Sequence, residues 1–273
     1  MEELIYLFTR PFMITALVTG ASISLCAALL GVVLVLKRHS MIGHGLADVS
    51  FAAISLSLAL GFSSDEHIFV SLPDVIIASF IIMHITKKGG KGDVAIGMVS
   101  TGALAMGIIV SRLGGGYNID PTEYMFGSIT ATTQSDMYLS LVLLVTVLTL
   151  FIIFYNRLFL ITYDESFAEA GGINVNFFQF LISLLTALTI VIGMRIMGTL
   201  LISSLIIFPA VTAKRLVRSF KRLVIVSSIV SAVCFIIGII ISYYLNLPTG
   251  ASIVGANMVV FIVVSLLTLK KEG

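Results

Sequence analysis

The sequence predicts an all-α fold, a polytopic bundle of about nine membrane-spanning helices, and three observations carry that prediction. Hydrophobic residues make up 58% of the 273-residue chain, charged residues only 11%, and the mean hydropathy is +1.13. Soluble domains carry roughly 25% charged residues because their surfaces contact water. The other two observations are a series of long apolar stretches and an alternating distribution of basic residues between them.

Nine stretches are candidates for membrane spans, each of which requires about 20 mostly apolar residues. They lie near residues 13–36, 42–62, 68–86, 94–112, 137–156, 176–194, 196–213, 223–244 and 250–269. The second stretch is interrupted by His44 and Asp48, and the sixth and seventh are nearly continuous, so eight spans is the alternative count. We expect residues 1–273 to form a single transmembrane domain.

Basic residues sort to alternate sides of these stretches, and such residues collect on the cytoplasmic side of membrane proteins. The other side holds only Arg10, Arg112 and Arg195. This distribution predicts an outside N-terminus, a cytosolic C-terminus and a chain embedded in membrane lipid. Thirteen of the sixteen basic residues fall on the predicted cytosolic side, at Lys37, Arg38, Lys87, Lys88, Lys91, Arg157, Lys214, Arg215, Arg218, Lys221, Arg222, Lys270 and Lys271.

Composition also argues against several classes of function. The formal net charge of +2 gives no indication of a nucleic-acid partner. Cys26 and Cys234 lie in separate apolar stretches, which predicts two buried thiols rather than a disulfide or a cysteine metal site. Residues 1–12 lack the basic start of a signal peptide, so we expect the first span to be retained. The sequence has no nucleotide-binding glycine loop, so any ATP hydrolysis takes place on a partner.

The strongest candidate site is a pair of ionisable residues inside the second stretch. Ionisable side chains within a span are costly and are usually functional. His44 and Asp48 are four residues apart, so they share one face of a helix, nearer its cytosolic end. An imidazole and a carboxylate suit Zn²⁺ or Mn²⁺, but the remaining ligands must come from elsewhere in the chain, from water or from a symmetry mate. The alternative is a His–Asp hydrogen bond with a purely structural role.

The cytosolic loop at 157–175 is the second candidate. It is acidic where the other cytosolic loops are basic, and Asp164 can cap a short helix that ends at Gly171 and Gly172. Such a helix either receives force from a soluble motor or lies on the membrane surface as a connector.

The outer side offers weaker candidates. The loop at 113–136 is rich in glycine and polar residues, with a short helix expected near 124–130. Asp74 follows Pro73 at the outer start of a span, where helix capping is the expectation. Asp65 and Glu66, followed by His67, form an acidic outer loop that either meets a cationic ligand or a donor protein or is simply solvated.

Six short segments occur in an order that carries a family resemblance. They are RHSMIGHGLAD at 38–48, DVAIG at 93–97, MFGSI at 125–129, DESFAEAGGI at 164–173, LISSLIIFPAVTA at 201–213 and PTG at 248–250. Each is modest alone, but together, and almost from end to end, the chain resembles the permease subunits of the zinc, manganese and iron ABC importers, the ABC-3 family.

The resemblance implies a homodimer of permeases, a pair of cytosolic ABC ATPase subunits and an extracytoplasmic metal-binding protein, in the cell membrane of a prokaryote. It implies a coupling helix at 163–173 seated in the ATPase. The expected cargo is Zn²⁺, then Mn²⁺ or Fe²⁺, with no permanently bound cofactor and no catalytic residue. The coupling residues would be Asp164, Glu165, Phe167, Ala168, Gly171 and Gly172, and further candidates for a pathway or gate are Asp74, Ser203 and Pro209.

One departure from the family pattern affects the metal pair. The family usually has Asp at position 44 and His at position 48, whereas this chain has the two exchanged, which keeps the ligand types and reverses their order along the pathway. Two rival functions stay open. An ABC permease for a metal chelate needs a wider, aromatic-lined cavity, and a membrane-embedded metalloenzyme needs a third ligand and a general base.

Overall fold

The computed structural model describes residues 11–61, 67–87, 92–113, 127 and 132–272, and every regular element within these ranges is a helix. The predicted all-α class is therefore confirmed. Two of the described helices are short, α6 (Tyr155–Tyr163) and α7 (Glu165–Ala170). The nine long ones are α1 (Pro11–Leu36), α2 (Met41–Ala59), α3 (His67–Lys87), α4 (Gly92–Leu113), α5 (Gln134–Ile153), α8 (Val175–Met197), α9 (Thr199–Leu216), α10 (Phe220–Leu245) and α11 (Thr249–Glu272).

The long helices coincide with the nine apolar stretches predicted from the sequence. They contain 18 to 26 residues, and at about 1.5 Å per residue this length matches the roughly 30 Å hydrocarbon core of a bilayer. Eight of the described helices are long and apolar enough to cross a membrane, and α3 contributes a shorter apolar run, Ser71–Ile82. The chain is therefore a multi-pass membrane protein.

Helix α1 lies at the centre of the bundle, where it packs against α5, α8, α9 and α10. Gly31 allows the α1 backbone to contact α9, because a Cβ at this position would lie 2.1 Å from the carbonyl oxygen of Ile206. Small residues permit this approach in membrane bundles, where van der Waals packing drives helix association. Cys26 on α1 and Cys234 on α10 are buried and free, as predicted.

The outer helices present apolar side chains away from the core. Met98 on α4, Ile152 on α5 and Leu266 on α11 are each exposed over most of their surface. An α-helix satisfies its interior backbone polar groups through its own hydrogen bonds, as a hydrocarbon environment requires. The exposed apolar surface of the chain is therefore the surface expected to contact lipid or a second membrane-embedded chain.

Two long-range ion pairs show which helix ends lie on the same side of the bundle. Lys37 Nζ, just beyond α1, lies 2.7 Å from Glu165 Oε1 on α7, and both ends were predicted to be cytosolic. Arg195 Nη1 on α8 lies 3.6 Å from Asp136 Oδ1 on α5, and both ends were predicted to face outside. Both pairs agree with the alternation that the basic residues indicate, while the orientation across the membrane stays a prediction.

Three expectations concern residues outside the described ranges: the absence of a signal peptide, which rests on residues 1–10, the side chains at 65–67 and the short helix near 124–130. Within the outer loop, Gly127 is described by itself. Its backbone lies against the junction of α8 and α9, where an added Cβ would be 2.3 Å from the carbonyl carbon of Met197.

Candidate functional site

The predicted metal pair lies in the first two turns of α2, on one helix face. His44 Nε2 is 3.7 Å from Asp48 Oδ2, and the two side chains are 51% and 8% exposed, respectively. This separation is longer than a hydrogen bond between nitrogen and oxygen. The structural alternative, a direct His–Asp hydrogen bond, is therefore not formed here. The carboxylate lies inside the bundle, whereas the imidazole reaches its surface.

A third residue, which sequence reasoning missed, holds the carboxylate. The hydroxyl of Ser100 on α4 donates a hydrogen bond to Asp48 Oδ2. Ser100 is buried, and α2 packs closely against α4 along this face. No spacing rule links two residues 52 positions apart, so the only signal in the sequence was a serine within an apolar stretch.

The described residues offer no complete metal cage. In the ranges that the structure covers, no group of three or more His, Cys, Asp or Glu side chains is placed to hold a metal ion. His44 and Asp48, with the hydroxyl of Ser100 nearby, can give a passing ion one nitrogen and a few oxygen ligands. Such a set binds weakly, since tightly held zinc normally has four protein ligands or three with a water.

The helix predicted within the loop at 157–175 is present as α7. The carboxylate of Asp164 accepts a hydrogen bond of 2.9 Å from the backbone N–H of Phe167, so the predicted cap is confirmed. The helix ends in a Schellman motif: the N–H of Gly172 donates to the carbonyl of Glu169, and the N–H of Ile173 donates to the carbonyl of Ala168. This motif places its C′ residue in the left-handed region, and Gly172 has φ +78°.

The side chains of α7 divide into an anchor and an exposed face. Ala168 is 1% exposed and packs into the main core. Phe167 is 63% exposed, and Gly171 and Gly172 are exposed beside it. A large apolar side chain on a six-residue helix at a polar end of the bundle is a surface suited to a protein partner.

The remaining candidates are Asp74 on α3 and Ser203 and Pro209 on α9. The expectation that Asp74 caps a helix is wrong, because α3 begins at His67 and contains both Pro73 and Asp74 within it. Ser203 is buried on α9 and donates to the carbonyl oxygen of Thr199 at 2.8 Å. Pro209 is buried within the same helix, where it removes one backbone donor and creates a place for a bend.

The ABC 3 transport family matches residues 9–268 of the chain. The chain belongs to the ABC 3 transport family. The manganese import system permease protein ScaB of Streptococcus gordonii is 32% identical over 256 residues, which cover 92% of this chain and 90% of ScaB. The high-affinity zinc uptake system membrane protein ZnuB of Haemophilus influenzae is 28% identical over 247 residues, which cover 90% of this chain and 94% of ZnuB.

A solved structure agrees with these relatives. PsaBC from Streptococcus pneumoniae, in complex with Fab, matches with a TM-score of 0.84 and 30% identity, covering 96% of this chain and 94% of the matched chain. The resemblance to ABC-3 permeases is thus confirmed. As a member of this family, the chain is a transport subunit and not an enzyme, so the metalloenzyme alternative is wrong.

Proposed function

We propose that this ABC 3 family member is the membrane subunit of an ATP-driven importer that moves a divalent transition metal from an extracytoplasmic binding protein into the cytosol of a prokaryote. The observation that carries the proposal is the pair of His44 and buried Asp48 inside a membrane-spanning helix of a family member. From the ligand types we expect zinc first, then manganese and iron. Because ScaB is named for manganese and ZnuB for zinc, both ions belong in the assay.

The physical case begins with the cost of the Asp48 carboxylate. A buried charge is strongly unfavourable unless it is paired and hydrogen-bonded. Ser100 supplies a hydrogen bond but no positive charge, and the His44 imidazole, 3.7 Å away, carries a positive charge only when it is protonated. A divalent cation beside the carboxylate supplies the missing charge. Because the site has few ligands, the ion can also leave, which transport requires.

The exchanged order of the pair has a directional consequence. With the start of α2 on the cytosolic side, Asp48 lies one helical turn farther from the cytosol than His44, or about 6 Å. An entering ion therefore meets the carboxylate first and the imidazole next. The buried carboxylate would draw the cation inward, and the half-exposed imidazole would accept it at the inner mouth.

Exposed positions on α2 and α4 support a second copy of the permease. The His44 side chain is half-exposed in the single chain, and Gly97 and Gly102 on α4 are exposed, with no atom within 4 Å of a Cβ added at either position. Small residues on an exposed face permit close packing of another membrane helix. A symmetric pair of permeases would bring two His44–Asp48 pairs to one path, so each copy would complete the other's ligand set.

The coupling surface supports the motor partner. Ala168 fixes α7 to the bundle while Phe167 projects from it, so a soluble subunit that grips Phe167 would move α7 as a unit. Two ATPase subunits would engage the two copies of α7 in the dimer. ATP binding and hydrolysis would then drive the helices between outward-open and inward-open arrangements.

The experiment is affinity purification of the tagged protein from its native membranes, followed by uptake of radioactive zinc and manganese by the same cells. We expect an ATPase subunit to be retained by the wild type and lost in Phe167→Ala. The matched control is Phe12→Ala, which removes another exposed phenylalanine side chain. Phe12 lies at the start of α1, on the side predicted to face outside, so this variant should retain the ATPase. Wild-type protein that never retains an ATPase would contradict the proposal. If an excess of chelated metal inhibits uptake and an excess of the free ion does not, the alternative of a permease for a metal chelate would be favoured.

A further inference from the structure

One carboxylate joins three separate parts of the chain at the predicted cytosolic end. Glu165 Oε1 on α7 accepts a 2.7 Å hydrogen bond from Lys37 Nζ and a 2.9 Å hydrogen bond from Gln179 Nε2 on α8. The Lys37 side chain is only 8% exposed, and Gln179 is 5% exposed. Lysine is almost never this buried unless it is paired, so the pair is a built contact rather than a chance approach of surface charges.

Lys37 and Gln179 also line a cavity beside α2, the helix that carries the metal pair. Its other walls come from α1, α2, α8 and the corner between α1 and α2, at Leu34, His39, Ile42, Ile182, Ser183 and Thr186. The side-chain oxygen of Gln179, Oε1, is buried and has no hydrogen-bond partner in the described part of the chain. A buried polar atom without a partner is costly, so a rearrangement of this wall that brought a donor to the oxygen would be favourable.

The corner at 37–41 connects this cavity to the metal pair. Arg38 has φ +61°, and the N–H of His39 donates to the carbonyl of Leu34 at 2.8 Å, which closes α1 in a tight turn. The N–H of Ile42 then donates to the carbonyl of His39 at 3.1 Å. Because the corner is short and internally bonded, a displacement of Lys37 carries the start of α2 with it, and His44 lies in the first turn of that helix.

We infer that Glu165 is the link that transmits movement of α7 to the metal pair. When the ATPase moves α7, the Glu165 carboxylate pulls on Lys37 and Gln179, changes the wall of the cavity and shifts the start of α2 relative to α4. Both residues of the pair, His44 and Asp48, lie on α2, so they then move together relative to Ser100 on α4. The inference rests on the proposed function, since it takes α7 as the helix that the ATPase grips.

The test measures the number of metal ions moved per ATP hydrolysed by the purified complex in proteoliposomes. Lys37→Met removes the charge and keeps the length of the side chain, and Lys214→Met is the matched control at an exposed lysine at the end of α9. We expect the Lys37→Met complex to continue hydrolysing ATP. The number of metal ions moved per ATP should fall by about fivefold or more, since coupling between two sites typically changes an equilibrium by at least this factor. Lys214→Met should match the wild type.

A charge exchange separates a specific link from a loss of stability. Glu165→Lys and Lys37→Glu should each lower the transport ratio, and the double variant should recover much of it, because the introduced amine regains a carboxylate and can also donate to the unpartnered oxygen of Gln179. Two results would overturn the inference: an unchanged ratio in Lys37→Met, or no recovery in the double variant when it is as thermostable as the wild type. A wild-type complex without ATP-dependent transport would instead refute the proposed function itself.

Discussion

Gly172 is the position at which a single methyl group should damage coupling without touching any neighbour. Its φ of +78° lies in the left-handed region, and a Cβ built there has no atom within 4 Å. The cost of Gly172→Ala is therefore conformational alone, about 1–2 kcal/mol. Helices as short as α7 have little intrinsic stability. That cost lowers the ratio of ordered to disordered helix by a factor of about 5–30.

The neighbouring glycine provides the control. Gly171 has φ −76°, and an added Cβ would lie 3.4 Å from the carbonyl oxygens of Phe167 and Ala168, which is ordinary contact. Gly171→Ala should therefore leave α7 intact. Gly172→Pro should be the most severe change, because proline fixes φ near −65° and removes the N–H that donates to the carbonyl of Glu169.

Two measurements check this prediction in the purified complex. Hydrogen exchange of the backbone amides at 165–173 should be faster in Gly172→Ala than in the wild type and in Gly171→Ala. ATP-dependent metal uptake, normalised to the amount of protein in the membrane, should fall in the same order and be abolished by Gly172→Pro. Identical exchange and uptake in the two alanine variants would refute the reasoning.

Two further predictions concern the stability of the bundle. Gly31→Ala places a methyl group 2.1 Å from the carbonyl oxygen of Ile206 and should lower the free energy of unfolding by about 1–3 kcal/mol. Thermal unfolding in detergent measures this change. The control is Gly255→Ala, which should be neutral because an added Cβ there has open space around it. Asp136→Ala removes the capping box of α5 and the partner of Arg195, so it should cost about 1 kcal/mol for the cap plus the ion pair. A melting temperature equal to that of the wild type in either variant would contradict the packing described here.

Much of the fold was predictable because a bilayer imposes strong constraints on sequence. The nine long helices were predictable because each membrane span needs an apolar stretch of a minimum length. The cap at Asp164 and the end of α7 at Gly171 and Gly172 depend on local backbone chemistry, so a few neighbouring residues specify them. Asp74 shows the limit of such local signals: Pro73 resembles a helix start, yet α3 begins six residues earlier because the preceding apolar residues continue the helix.

The contacts that complete the candidate sites were not predictable in the same way. The bonds from Ser100 to Asp48 and from Lys37 and Gln179 to Glu165 join residues far apart in sequence. Each depends on the rotation and depth of two packed helices, and hydropathy constrains neither. The sequence therefore identified the residues with unusual chemistry, while the packing determined which of them meet.

We propose that His44 and Asp48 carry a divalent metal through an ATP-driven permease. The most direct test is the accumulation of radioactive zinc or manganese in proteoliposomes that contain the permease and its co-purified ATPase. We predict that accumulation requires ATP. Asp48→Asn keeps a hydrogen-bond acceptor for Ser100 but loses the negative charge, and it should reduce accumulation strongly. The double variant His44→Ala, Asp48→Ala should abolish accumulation while the complex stays assembled. Undiminished ATP-dependent accumulation in the assembled double variant would contradict the claim.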